Sequence, residues 1–431
     1  MKTLQLSILL LSGAILLLTG CSKDNGPVDP AGPDTGNINM NNLSVDEVKA
    51  AIGQALDVGI TEFKLTGPIA NSGIDGSFNS SPFYNTQITK IDLTEVTGWT
   101  AVNCDGNTQT IDTETGLPAY AFVDCEKLTE VKLPAGVKAI GAQAFSRCTS
   151  LTTINLEYAT HIGQGGFFGC TALSTISLPE ATTLYSRAFS GTSLKSVSLP
   201  KVTSISEGAS NDGMSNGSFS RCEQLTAVNA PLLTDIGLST FLGCIKLETV
   251  DIPKATTIGQ LAFSRCESLK SIDFDKVTTI GKNAFAFCTA ATDIKLPLAT
   301  TIGSNTFQSC TAVTEIELPV ATSIDSRAFL DCTKLKTLRL PAATELGNYI
   351  VAGCSNLTRI EVTATGKLTD ISGGLLSNSG VFDNNANTNP PFNAANCALV
   401  LHTDKQPGGS GEPVTSGNTW ISYTWKNITY Q

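Results

Sequence analysis

Histidine is almost missing from this chain. Its 431 residues include two, His161 and His402, far apart in the sequence. Nucleophilic catalysis of the Ser-His-Asp or Cys-His kind needs an imidazole beside its nucleophile, and no such constellation can be assembled from two isolated histidines. Carboxylates are plentiful but show no asymmetric pair, so an enzyme is the weakest function class. Basic residues are outnumbered, 28 Lys and Arg against 38 Asp and Glu, for a net charge of −10. No basic stripe forms, which argues against nucleic acid, whose binding rests on neutralising phosphates. C-x-x-C pairs are absent and the cysteines come without histidine partners, so no metal and no cofactor is expected. Apolar residues run long at one place, Leu4 to Leu18.

What is present is repetition. Cysteine returns every 22 residues at Cys222, Cys244, Cys266, Cys288, Cys310, Cys332 and Cys354, and less regularly at Cys125, Cys148 and Cys170. A fixed period of this length is the signature of a solenoid, in which each turn buries its apolar face against its neighbours. One copy, Ile258 to Thr279, reads IGQLAFSRCESLKSIDFDKVTT. Its L-x-x-I-x-L segment alternates with period 2, which predicts a short strand with one buried face. The central column runs from Val131 through Ile154, Ile176 and Val197 to Ile360, and an outlying Ile88-x-x-Ile91-x-Leu93 precedes it, for about twelve rungs. At ~4.8 Å per rung the body is on the order of 55 Å long. Proline follows many of the strands and marks where pairing stops. Glycine after isoleucine, as in Gly259 and Gly281, suits a turn with positive φ. The phenylalanines from Phe122 to Phe329 should stack as a continuous spine.

Thirteen cysteines in an exported chain ordinarily suggest disulfides. Here one repeat position supplies most of them, with side chains parallel from turn to turn, which suits the S–S dihedral poorly. The turn Phe189-Ser-Gly-Thr-Ser-Leu194 has no cysteine and is one residue short. The expectation is a ladder of buried, reduced thiols behaving as small hydrophobes.

The shared pattern L-x-x-I-x-L-P-x-x-x-T-x-I-G-x-x-A-F-x-x-C resembles the BspA-type (Treponema pallidum-type) leucine-rich repeat, closely over residues 122–363 and loosely over 88–431. The resemblance implies an α/β repeat: a leucine-rich-repeat solenoid of about 11–12 rungs with a parallel β-sheet on its concave face. It also implies a surface protein associated with adhesion, with host matrix or plasma proteins among its partners. At the start, Leu18-Thr19-Gly20-Cys21 resembles a bacterial lipoprotein lipobox. That implies removal of residues 1–20 as a signal peptide and lipidation of Cys21, an anchor stable enough to hold the chain on an outer membrane. Ser22-Lys23-Asp24-Asn25 weakly resembles signals that send lipoproteins to the outer surface in Bacteroidetes-type bacteria.

The expected organisation is a flexible tether over 21–42, an N-terminal cap and irregular first rungs over 43–121, the repeats over 122–363, and a C-terminal loop with an aromatic cap over 364–431. Residues 44–57 predict an amphipathic helix with a Ser44–Glu47 capping box, serving as an end cap or as a partner-binding helix. The insertion 207–217, with Met214, is a tolerated bulge or a recognition loop. Trp420 and Trp425 belong to an aromatic cap or to a glycan-binding platform. The outward strand residues form a candidate binding face. Its N-terminal half is small and neutral. Its C-terminal half is charged and includes Asp251, Asp273, Glu317, Arg339, Arg359 and Glu361. These residues either pair with one another in ladders or engage a partner. The leading reading is a non-catalytic surface protein that binds proteins. Glycan capture for nutrient uptake, or a structural surface role, is the alternative.

Overall fold

A computed structural model of the protein describes residues 36–77, 80–105, 114–205, 217–363, 397–402, 419–420, 423–424 and 427–430. Most turns of the repeat carry two short parallel strands. The first is the one predicted from the alternation, for example Ala227–Asn229, paired in register with Thr249–Asp251 one turn later. Together these form a long row, whose pairing lapses around residues 175–177, between Thr249–Asp251 and Ser271–Asp273, and between Asp293–Lys295 and Glu315–Glu317. The second is a two-residue strand such as Thr257–Ile258, paired with Thr279–Ile280 and building a second, shorter row. Both rows are parallel from turn to turn. The repeat carries no helix of its own. The one α-helix among the described residues is α1 (Val45–Asp57), which lies outside the repeats.

That helix is capped as its sequence predicts. Ser44 Oγ accepts the Glu47 N–H at 3.3 Å, and the Glu47 carboxylate accepts the Ser44 N–H at 2.8 Å. Its apolar face buries Val48, Ile52 and Ala55 in the same core as the repeats. The helix joins β1 (Asn37–Asn39) to β2 (Glu62–Pro68), which pair in parallel and continue the long row upstream of β3 (Lys90–Thr97). This corrects the tether boundary, since β1 and the fully buried Met40 fall inside 21–42. The row also extends further downstream. Ala398–His402 pairs with Arg359–Thr363, and Asn427–Tyr430 pairs with Ala398–His402. These segments lack the Phe and Cys markers, so their sequence reads as loop and cap.

Between the rows lies the spine. From Phe122 to Phe329 consecutive rings stack at centroid distances of 5.2–5.8 Å. Phe83 joins the stack 5.4 Å from Phe122, and Phe63 meets Phe83 edge-on. The glycine after isoleucine has a different reason from the expected one. Positive φ falls elsewhere, at Asn283 (56°) and Arg265 (62°) for instance. The glycine is needed because turns approach too closely for a side chain: a Cβ at Gly281 would stand 2.6 Å from the Gln260 nitrogen.

Candidate binding face

The long row presents one face to the core and one outward. At its C-terminal end the outward residues form a network. Arg359 Nε donates to Glu361 at 2.6 Å, and Arg339 Nε donates to the same carboxylate oxygen at 3.1 Å. Arg339 also pairs with Glu315 and, at 3.6 Å, with Glu317. Glu361 is 8 % exposed. Burial alone would raise its pKa, yet the hydrogen bonds and charges of Arg359 and Arg339 hold it below the usual carboxylate value. Two turns before Glu317, Asp273 lies 3.7 Å from Lys295, which also binds Asp293 at 2.6 Å. Asp251 accepts the Asn229 side-chain amide at 2.6 Å. The register between turns makes the contacts from strand to strand, because it sets residues 22 apart side by side, while Arg359–Glu361 and Lys295–Asp293 pair within one strand, two residues apart on its outward side. The candidate residues therefore form ladders among themselves, and Arg339 and Arg359 present guanidinium groups already oriented by carboxylates.

The BspA type Leucine rich repeat region matches this chain in six copies, over residues 76–212, 212–321 and 278–387. The chain belongs to the BspA-type leucine-rich-repeat family. Among solved structures, a leucine-rich repeat protein from Bacteroides ovatus is 26 % identical, with 64 % of this chain and 87 % of that one covered and a TM-score of 0.34. A leucine rich cell surface protein from Faecalibacterium prausnitzii is 22 % identical over 70 % of this chain and 83 % of its own, with a TM-score of 0.38. The T. pallidum leucine rich repeat protein is 26 % identical over 39 % and 72 %, with a TM-score of 0.27. No curated protein matches. Leucine-rich repeats generally mediate protein–protein interaction, BspA-type repeat proteins are surface proteins, and the family is typically non-catalytic. No helix among the described residues is long and apolar enough to cross a membrane.

The cysteines of this BspA-type array are free and buried at every described position. Each ladder thiol has a definite partner. Cys266 donates to the Phe241 carbonyl at 3.3 Å and Cys288 to that of Phe263 at 3.3 Å, always in the preceding turn. In the two turns without cysteine a threonine takes its place. Thr86 donates to the Phe83 carbonyl at 2.8 Å and Thr192 to that of Phe189 at 2.9 Å. Burial pushes the Cys222 thiol up to about 11 and those of Cys125 and Cys288 to about 12, which removes the thiolate that nucleophilic or metal chemistry would need. Among the described residues no group of His, Cys, Asp or Glu is arranged to hold a metal ion.

Of the other sequence candidates, Cys21, Met214 and Trp425 lie outside the described residues. Trp420 lies in Thr419–Trp420, which pairs antiparallel with Tyr423–Thr424. The structure thus brings Glu317, Arg339, Arg359 and Glu361 into one network and keeps Asp251 and Asp273 in separate ladders. Glu315, the further carboxylate on Arg339, shares the outward side of its strand with Glu317. Its place beside Arg339 follows from the register of neighbouring strands.

Proposed function

We propose that the protein is a non-catalytic, lipid-anchored surface protein, tethered at Cys21, that captures a protein partner on the outward face of its long strand row. The partner class is a host or bacterial surface protein, with adhesion as the task. The observation that carries this reading is the Arg339–Arg359–Glu361 network. Interface hot spots favour arginine, and two guanidinium groups fixed by shared carboxylates lose less side-chain freedom on binding than free ones.

The test is capture of matrix and plasma proteins by residues 22–431. Replacing both arginines with alanine would take two cationic partners from Glu361, a buried carboxylate, and removing a partner of a buried charge is destabilising by about 3–5 kcal/mol. The informative variant is therefore Arg339→Ala, Arg359→Ala and Glu361→Gln together. Its capture should fall at least about tenfold, equivalent to ~1.4 kcal/mol. Unchanged capture by this variant, folded by circular dichroism, would remove the network from the binding site.

A further inference from the structure

The long row loses its pairing on both sides at one level. Thr175, Ile176 and Ser177 stand where a strand is due, yet none forms, and among the described residues their backbone groups have no hydrogen-bond partner. One turn earlier a side chain takes over part of the pairing. Asn155 Nδ2 donates to the Leu133 carbonyl at 2.8 Å, and its Oδ1 accepts the Leu133 N–H at 2.7 Å. Later in the row main chain plays this part: the Leu199 N–H donates to the Asn229 carbonyl at 2.8 Å. There an amide side chain substitutes for backbone, and the strand Thr153–Ile154 is two residues long where most strands of the row have three or more; pairing lapses at two later levels as well, but only at 175–177 is it lost on both sides. The interior is undisturbed. Phe145, Phe167 and Phe189 keep stacking at 5.2 and 5.3 Å, and His161–Ile162 still pairs with Thr183–Leu184. The break is confined to the outer face.

Free main-chain donors and acceptors must be satisfied by water or by a ligand, and the surroundings select which ligand. Thr153, Thr175, Ser177, Ser196 and Ser198 are exposed there, and none can ionise. Ionic pairs resume on either side, Lys132 with Glu130 before the patch and Lys295 with Asp293 after it. Of the charges at its margin, Glu180 and Lys201 engage each other at 2.6 Å, Lys195 precedes the patch by one residue, and Glu157 is exposed beside Tyr158. Tyr158, 52 % exposed, stands in the turn that leaves Thr153–Ile154. The outward strand residues of the patch themselves offer a charged partner no counter-charge. For a protein partner the patch offers one aromatic ring and, among its outward strand residues, no arginine or tryptophan of the kind that carries such interfaces. Hydroxyls, free amides and one exposed ring are the complement of an uncharged sugar.

We propose that this patch binds a neutral oligosaccharide, with the backbone of Thr175–Ser177 and the flanking hydroxyls bonding sugar hydroxyls and the Tyr158 ring lying against a sugar face. The site is separate from the arginine network and does not depend on protein capture there. The purified full chain is titrated with maltoheptaose, cellohexaose, mannohexaose and xylohexaose, and with heparin as an anionic comparison. Saturable binding of a neutral oligosaccharide is expected, weakened about tenfold or more by Tyr158→Ala and by Ser177→Glu, with slower hydrogen exchange at the Thr175–Ser177 amides in the wild-type complex. The exchange measurement stands even where a variant fails to fold. Binding to none of the four, binding of heparin alone, affinity unchanged in both folded variants, or unslowed exchange at those amides overturns the proposal. Both variants leave Arg339, Arg359 and Glu361 in place, so loss of protein capture and loss of sugar binding remain distinguishable.

Discussion

A thiol held away from water keeps its proton, and in this protein that happens once per turn. The proton also makes the hydrogen bond to the phenylalanine carbonyl of the turn before, so each cysteine fills space and ties two turns together. A pH dependence follows with a definite sign. The thiols titrate near 9.0 in the unfolded chain and, with burial as the main cause, at about 11 for Cys222 and about 12 for Cys288 in the folded one. Above pH 9 the unfolded chain has shed protons that the folded chain still holds, so stability is full below that pH and falls as pH rises. One unit above it each such thiol has lost roughly 1.4 kcal/mol. Over Cys125, Cys222 and Cys288 this comes to about 4 kcal/mol, a large share of the ~5–15 kcal/mol that typically holds a domain together. Circular dichroism against pH should show cooperative alkaline unfolding. Retention of the full signal about two units above pH 9 would contradict the linkage. Sequence spacing revealed the burial of these cysteines but not their bonding, because a donor and a small apolar side chain leave the same periodic mark. The clue was Thr192: a hydroxyl at the cysteine position of a shortened turn. Thr86, also one residue closer to the next apolar position, repeats it and marks Phe83 as a spine member that the cysteine count passes over.

Among the elements of a turn, the glycine after isoleucine is the most exacting. A methyl group at Gly281 would press on the Gln260 backbone nitrogen at 2.6 Å, whereas one at Gly136 would meet nothing within 4 Å. Gly281→Ala should therefore destabilise by at least the ~1–3 kcal/mol of an overpacked core, while Gly136→Ala should stay within about 0.5 kcal/mol of the parent. Chemical denaturation of the pair checks this, and equal midpoints would show that the turns can spread apart. The same position shows where sequence reasoning stops. A recurring glycine announces a backbone constraint, but positive φ and close approach leave the same letter in the sequence. Likewise the second row rests on Thr-Ile dipeptides, too short for an alternation to register. The strands at Ala398–His402 and Asn427–Tyr430 follow long interruptions and lack the markers that reveal the others. The first row was legible because its apolar column repeats through many turns. The charges of the Arg339 network were legible too. Its connectivity was not, since which carboxylate meets which guanidinium depends on register.

The whole molecule is a stack in which each turn touches its two neighbours. Excising Ile258 to Thr279 joins Thr257 to Ile280 and so restores the Thr-Ile dipeptide of the second row, because Ile280 is the in-register partner of the removed Ile258. The shortened chain should fold with one strand spacing, about 4.8 Å, removed from its length. Small-angle scattering together with a thermal melt checks this. A shortened chain that aggregates or melts without cooperativity would show that stability rests on particular turns and not on nearest-neighbour stacking.

The spine has a mechanical consequence. Because ring stacking and strand pairing run along one axis, a pull applied between the two ends loads the interfaces between turns in series. Such a stack yields by peeling at its weakest interface instead of shearing as a block. Each 22-residue turn that comes free pays out roughly 75 Å of extended chain, so under fluid drag the array acts as a shock absorber, lengthening in fixed increments while the turns still stacked keep their shape.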